Sequence, residues 1–321
     1  MKRNRSSSVT FSLKIVITLG LLVYLLSKVE IGYVLTQIRA IDPASVIGAA
    51  IMVFLQLVLG SLRWRLINGL LGARQGPRQA FRITLIGHYF NQVLPSALGG
   101  DVVRAWLASR GDVALGHAIR GVVCDRMVGM VALVIMISGT LFILPDIAAN
   151  QLILRSVFHT TAILGMGGLA ALFFFGEPIS RRLMTRGLLI EPVGRLVQDL
   201  RRALYSPATS ASTLALSGAA HVLAVGAIFL CAKGMRIHLD FSAALTVVPT
   251  IMLVSMTPIS IAGWGVREGA TVVGLGLVGI TAPDALAVSV TFGLVQIFVG
   301  LPGGALWFAS RSNGESKGHS E

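Results

Sequence analysis

Charge is scarce in this chain of 321 residues: Asp, Glu, Lys and Arg make up 13% of it, against 54% hydrophobic residues. A soluble globular domain carries about a quarter charged residues, so such a domain does not account for most of the chain. Acid is scarcer than base, with 14 Asp and Glu against 27 Lys and Arg, for a net charge of +13. That excess does not read as nucleic-acid binding, because no zinc-finger spacing, RNP motif or aromatic-interleaved basic patch accompanies it. Cysteine is nearly absent. Cys124 and Cys231 both fall in apolar runs and are expected as buried small hydrophobes, not a disulfide. The six histidines are scattered with no metal-ligand spacing. No P-loop, dinucleotide fingerprint or nucleophile–base constellation is present. No metal, no other cofactor and no catalytic residue is expected.

What the chain does have is long apolar runs. They predict an all-α integral membrane protein: a polytopic helical bundle of about six full spans plus two broken or re-entrant helical hairpins. The full spans are expected at Phe11–Ser27, Ser45–Leu62, Gly121–Leu144, Leu152–Phe175, Thr209–Ala232 and from Pro283 to near Ala309. The first has the charge order of a signal peptide without a small-residue cleavage site, and is expected as an uncleaved anchor. Trp64 is expected at the membrane interface, with Arg63 and Arg65 on the cytosolic side. The turn Pro145–Asn150 separates two spans. The stretch 177–202 is expected as the longest polar loop, carrying an amphipathic piece, Pro192–Leu204, suited to the membrane surface.

Two stretches break the apolar pattern. The first, Asn91 to Arg104, holds Pro95, Gly99, Gly100, Asp101 and Arg104. The second, Thr257 to Glu268, holds Pro258, Gly263, Gly265, Arg267 and Glu268. Both follow P-x4-G-x3-R. Proline removes a backbone donor and glycine permits a sharp turn. At membrane depth such backbone survives only where protein or a water-filled cavity satisfies it. Interrupted hydrophobic segments at matching positions of two halves point to a binding site in an inverted-repeat transporter. The expected halves are 1–150, with its broken hairpin at 83–108, and 151–310, with its hairpin at 241–280; residues 311–321 form a disordered cytoplasmic tail. With both termini cytoplasmic, the inner regions hold 21 of the 27 Lys and Arg and the outer regions 5, with Arg267 in the second break. That is the asymmetry of the positive-inside rule.

The ionisable residues in apolar surroundings are the candidate site, because the bilayer penalises each by roughly 2.5–3.5 kcal/mol on insertion scales. Asp101 and Arg104 share a helical face and are expected to pair. Asp125 and Arg126 point to different faces; either one of them meets Arg104 or Asp101 across the bundle, or both sit solvated at the cytosolic end. Arg267 and Glu268 match the first site with the charge order inverted. Asn91 is expected to satisfy freed backbone or bind headgroup. The candidate headgroup-binding residues are therefore Asn91, Asp101, Arg104, Asp125, Arg126, Arg267 and Glu268. Pro95, Gly99, Gly100, Pro258, Gly263 and Gly265 set the break geometry. His88, His117 and His221 are expected as satisfied packing residues.

Asn91, Leu94, Pro95, Gly99, Gly100, Asp101 and Arg104, then Asp125–Arg126, then Pro258, Ser260, Gly263, Gly265, Arg267 and Glu268 form a combined motif. It resembles that of the lysylphosphatidylglycerol synthase transmembrane-region family. The resemblance covers roughly residues 10–310. It implies a flippase-like bacterial inner-membrane protein that moves, or helps move, lipids between leaflets. The implied partners are membrane lipids with anionic or phosphate-bearing headgroups, a second copy of the chain or a lipid-biosynthetic enzyme, and no nucleic acid. The aminoacyl-tRNA-dependent transferase domain of the full-length synthases is not expected in this chain. The implied cargo ranges over phospholipid, aminoacyl-lipid and glycolipid or polyprenyl-type lipids. Two further readings stand beside it: a membrane-embedded glycosyltransferase or accessory subunit acting on lipid-linked sugars, and a small-solute secondary transporter.

Overall fold

The computed structural model describes residues 31–94, 98–110, 113–143, 152–185, 187, 190–256 and 265–315. Among these the chain forms eleven helices and no strand. In order they are α1 (Ile31–Arg39), α2 (Pro43–Leu70), α3 (Pro77–Val93), α4 (Gly99–Ala108), α5 (Leu115–Ile143), α6 (Leu152–Met184), α7 (Glu191–Tyr205), α8 (Pro207–Gly234), α9 (Phe241–Ser255), α10 (Val266–Gly276) and α11 (Ala282–Glu315). Five stretches are long and apolar enough to cross a membrane: Pro43–Leu70, Leu115–Thr140, His159–Met184, Pro207–Gly234 and Ala282–Ser310. The protein is a helical integral membrane protein. The expected first span, the turn at 145–150 and residues 316–321 lie outside the described residues.

Local chemistry sets the helix starts. Asp42 precedes α2, where its carboxylate accepts from the amides of Ala44 (3.3 Å) and Ser45 (3.0 Å) and from the Ser45 hydroxyl (2.8 Å). Pro43 follows at the first helical position, which needs no donor. Thr281 and Asp284 close the start of α11 in the same way: the Thr281 hydroxyl donates to the Asp284 carboxylate (2.7 Å) and accepts from its amide (3.4 Å).

Both interrupted segments are pairs of helices. The first divides into α3 and α4, and the second into α9 and α10. Pro95, Pro258 and Gly263 lie outside the described residues.

The chain packs into two compact units, each discontinuous in sequence: one gathers 1–54, 85–103 and 223–321, the other 55–84 and 104–222. In the first unit α9 packs on α10, α10 on α11, and α11 on α1. The end of α3 lies hard against α11. A Cβ at Gly303 would collide with the Leu85 carbonyl, and Phe90 meets Trp307 edge to face at 5.1 Å.

In the second unit α5, α6 and α7 pack on one another. Trp64 is not at an interface: it is fully buried at 0% exposure, among Ala80, Ile83, Ala105, Ala108, Ala118 and Val122. Small neighbours make room for the indole. The expected polar loop at 177–202 is mostly helix. α6 continues past Glu177 and Pro178 to Met184, with Glu177 paired to Arg181 (2.9 Å) and to Arg201 of α7. The amphipathic helix α7 turns Leu196, Leu200 and Leu204 onto a core of Ile67, Cys124, Val128 and Ala203. Its Asp199 holds Arg120 of α5 at 2.8 Å. This apolar face is therefore spent on protein, where the sequence pattern alone suggested lipid.

Candidate functional site

In the second unit a carboxylate sits where an apolar helix should have none. Asp125 lies ten residues into α5, about 15 Å along the axis at 1.5 Å per residue, and is 3% exposed. Two arginines from other helices reach it. Arg63 Nε of α2 lies 2.7 Å from Oδ1, and Arg104 Nη2 of α4 lies 3.1 Å from Oδ2. The three side chains are 13%, 11% and 4% exposed, in the order Arg63, Arg104, Asp125. One carboxylate thus holds two guanidiniums, one on each oxygen. Geometry of this kind is needed to offset the desolvation of buried charge.

The surrounding residues fit this arrangement. Arg63 Nη1 also donates to the Ser217 hydroxyl (3.0 Å) on α8, and that hydroxyl donates in turn to the Thr213 carbonyl (2.7 Å). Gly129, one turn beyond Asp125 on α5, leaves space for the Arg63 guanidinium: a Cβ there would come within 3.3 Å of Nη1. The Gly129 carbonyl accepts from His221 Nε2 (3.0 Å), which places the ring proton on Nε2. His221 Nδ1 is buried without a hydrogen-bond partner. The Arg104 guanidinium lies 4.6 Å from the centre of the Trp64 ring, a cation–π contact in a dry setting. Thr213, Ser217 and His221 recur every four residues on α8, so they form one polar stripe on an otherwise apolar helix.

The break residues of the first unit form two arrangements of similar logic. In the first, the Asn91 carboxamide oxygen accepts from the Gly100 amide at 2.8 Å, so a side chain of α3 satisfies an orphan donor at the start of α4. Gly100 is required there. A Cβ would strike the Gly87 carbonyl and come within 2.6 Å of the Asn91 carboxamide. Asp101 follows in the first turn of α4, half-buried, where the helix dipole favours a negative charge.

In the second arrangement, Gly265 adopts φ 85°, the left-handed region open to glycine, and its amide donates to Glu268 Oε2 at 2.6 Å. Glu268 is 1% exposed. Its other oxygen receives Arg267 Nε (2.9 Å) and Nη2 (2.7 Å), and the Arg267 guanidinium lies over Gly293 of α11. One carboxylate therefore caps the helix and neutralises its neighbour.

The family profile for the lysylphosphatidylglycerol synthase TM region matches residues 11–304. The chain belongs to the lysylphosphatidylglycerol synthase transmembrane-region family. A UPF0104 membrane protein of Methanothermobacter thermautotrophicus is 31% identical to it over 97 residues. That alignment covers 30% of this chain and 29% of the relative's length.

For this family member, the structure brings Asp125 and Arg104 together, as one of the sequence expectations required. Arg126, the next residue, is half-buried on a different side of α5. Arg63 was missed. Its place in an Arg-Trp-Arg run near the end of a span reads as a cytosolic anchor, and only the fold turns it inward. Ser217 and His221 were also absent from the candidate set. The signal available was the four-residue spacing Thr213–Ser217–His221 in an apolar run.

Proposed function

We propose that this protein is a lipid translocase or lipid-transport protein of the flippase type, acting in the bacterial inner membrane with both termini in the cytoplasm. The observation that carries the reading is the pair of guanidiniums, Arg63 and Arg104, brought onto Asp125, a carboxylate ten residues into a helix long and apolar enough to cross the membrane. Ionisable groups in such a place are costly and mark a substrate path more often than a structural need. Arginine presents a planar fork of donors matched to carboxylate and phosphate. A lipid phosphate would meet Arg63 and Arg104 while its tails stay in the hydrocarbon. Asp101, Arg126, Arg267, Glu268 and Asn91 are assigned to headgroup recognition or to holding the broken helices open. Family membership supports the coarser part of this reading, a membrane protein. The inverted repeat suggested by P-x4-G-x3-R would supply alternating access by rocking one half against the other.

The test is leaflet exchange of fluorescent phospholipids and glycolipids in proteoliposomes containing the full chain. Wild-type protein is expected to accelerate exchange of at least one phosphate-bearing lipid. Arg104→Ala is expected to abolish the acceleration while the protein elutes and melts as a folded species. No acceleration for any lipid tested would sink translocation and leave the membrane-enzyme and solute-carrier readings.

A further inference from the structure

We infer that Asp125 is an internal stand-in for the substrate's phosphate, and that anionic lipid displaces it from Arg63 and Arg104 with uptake of a proton. This rests on the proposed function for its substrate class and adds a coupling ion. Asp125 offers two oxygens, and each is taken by a different guanidinium from a different helix. A phosphodiester offers two non-bridging oxygens of the same charge and similar spread, so the two anions compete for one pair of donors. When phosphate takes the guanidiniums, Asp125 keeps its burial and loses its counter-ions. A buried carboxylate without a partner is stable only in its neutral form. It therefore gains one proton from solvent as O–H, and no other bond is made or broken. Release of the lipid returns Asp125 to the arginines and frees that proton. A translocation cycle that binds on one face and releases on the other would carry a proton with each lipid.

Charged and titratable groups face Asp125 from several helices. α2 contributes Arg63, α4 contributes Arg104, and α8 contributes His221, which bonds to the next turn of α5 at Gly129. On α5 itself stand Cys124, Arg126 and Arg120, the last paired to Asp199 of α7. His221 is the competing proton acceptor, since its Nδ1 lacks a hydrogen-bond partner. It must be controlled in any pH experiment.

The experiment is calorimetry of the full chain in detergent near neutral pH, titrated with water-soluble dihexanoyl phosphatidylglycerol. It is repeated in two buffers of different ionisation enthalpy, so that the difference in heat counts protons. Wild type is expected to take up about one proton per lipid bound. Asp125→Asn is expected to bind the lipid without uptake. Asp125→Glu restores uptake, His221→Gln leaves it intact, and Arg63→Ala loses binding. Should Asp125→Asn fail to fold, the wild-type and Asp125→Glu titrations still decide. Binding with no proton uptake by wild type overturns the inference, as does uptake that persists in Asp125→Asn or disappears in His221→Gln. No binding by wild type overturns it as well. Leaflet exchange reads the translocation proposal separately: exchange without linked uptake defeats only the proton coupling, and linked uptake without exchange defeats only translocation.

Discussion

Asp125 shows how one residue can be indispensable without being a net stabiliser. Its attraction to Arg63 and Arg104 is opposed by the desolvation of all three side chains. Removing it leaves two buried guanidiniums without their anion, so Asp125→Ala is expected to cost about 3–5 kcal/mol. Combining it with Arg63→Met should recover part of that loss. A double-mutant cycle by equilibrium unfolding in mixed micelles checks this, and strictly additive losses would contradict the shared-carboxylate geometry. Gly100 makes a steric prediction. Gly100→Ala must push a methyl into the Gly87 carbonyl and is expected to cost about 1–3 kcal/mol, the range for overpacking. Gly168→Ala meets nothing within 4 Å and should stay within about 0.5 kcal/mol of wild type. Thermal melts of the two variants side by side decide. At Asp42, hydrogen bonds from the Ser45 hydroxyl and amide hold the carboxyl below its ordinary range. A depressed folded-state value gives stability that is present above the unfolded-state value and lost as pH falls through the folded one. The melting-temperature gap between wild type and Asp42→Ala should therefore be full near neutrality and close below about pH 4, near the ordinary aspartate value.

At the scale of elements, the two breaks share a device: a side chain holds the first amides of the second helix. Asn91 does so for α4 from across the break, and Glu268 does so for α10 from within it. The two should respond differently to substitution. Asn91→Ala loses one cap, worth about 1 kcal/mol. Glu268→Ala loses the cap and also the two charged hydrogen bonds from Arg267, which raises its cost above that of Asn91→Ala by roughly 1.5–3 kcal/mol. Unfolding of both variants in the same detergent tests that order, and equal losses would contradict it. The breaks themselves were legible in the sequence, because proline and paired glycine cannot pass unnoticed in an apolar run. The caps were half legible: Asn91 was singled out for freed backbone, while Glu268 was singled out for its charge alone. Of the partners of Asp125, Arg104 was within reach of the sequence, which already paired the two across the bundle, while Arg63 was not. α7 misled for a related reason. Its amphipathic pattern is real, but a pattern does not say whether lipid or protein covers the apolar face.

For the molecule as a whole, hydropathy was enough to read a helical membrane protein and the position of five apolar spans. Composition did so because every backbone polar group in hydrocarbon must be satisfied within its own helix. The central site was less legible, since its four contributing helices come from distant parts of the chain and Arg63 resembles an ordinary cytosolic anchor. With Arg63 and Arg104 set aside as site residues, the regions expected on the inner side still hold more Lys and Arg than those expected outside. The proposed translocation requires that these two arginines hold a lipid's phosphate on its way across. The most direct measurement compares leaflet exchange of a fluorescent phosphatidylglycerol and a phosphate-free fluorescent diacyl glucoside in one set of proteoliposomes. The protein is either wild type or carries Arg63→Gln or Arg104→Gln. Wild type is expected to accelerate the phosphate-bearing lipid well above the glucoside, and each substitution to remove the difference. Equal acceleration of both lipids, or acceleration of the phospholipid that survives loss of either arginine in a folded protein, would contradict that requirement.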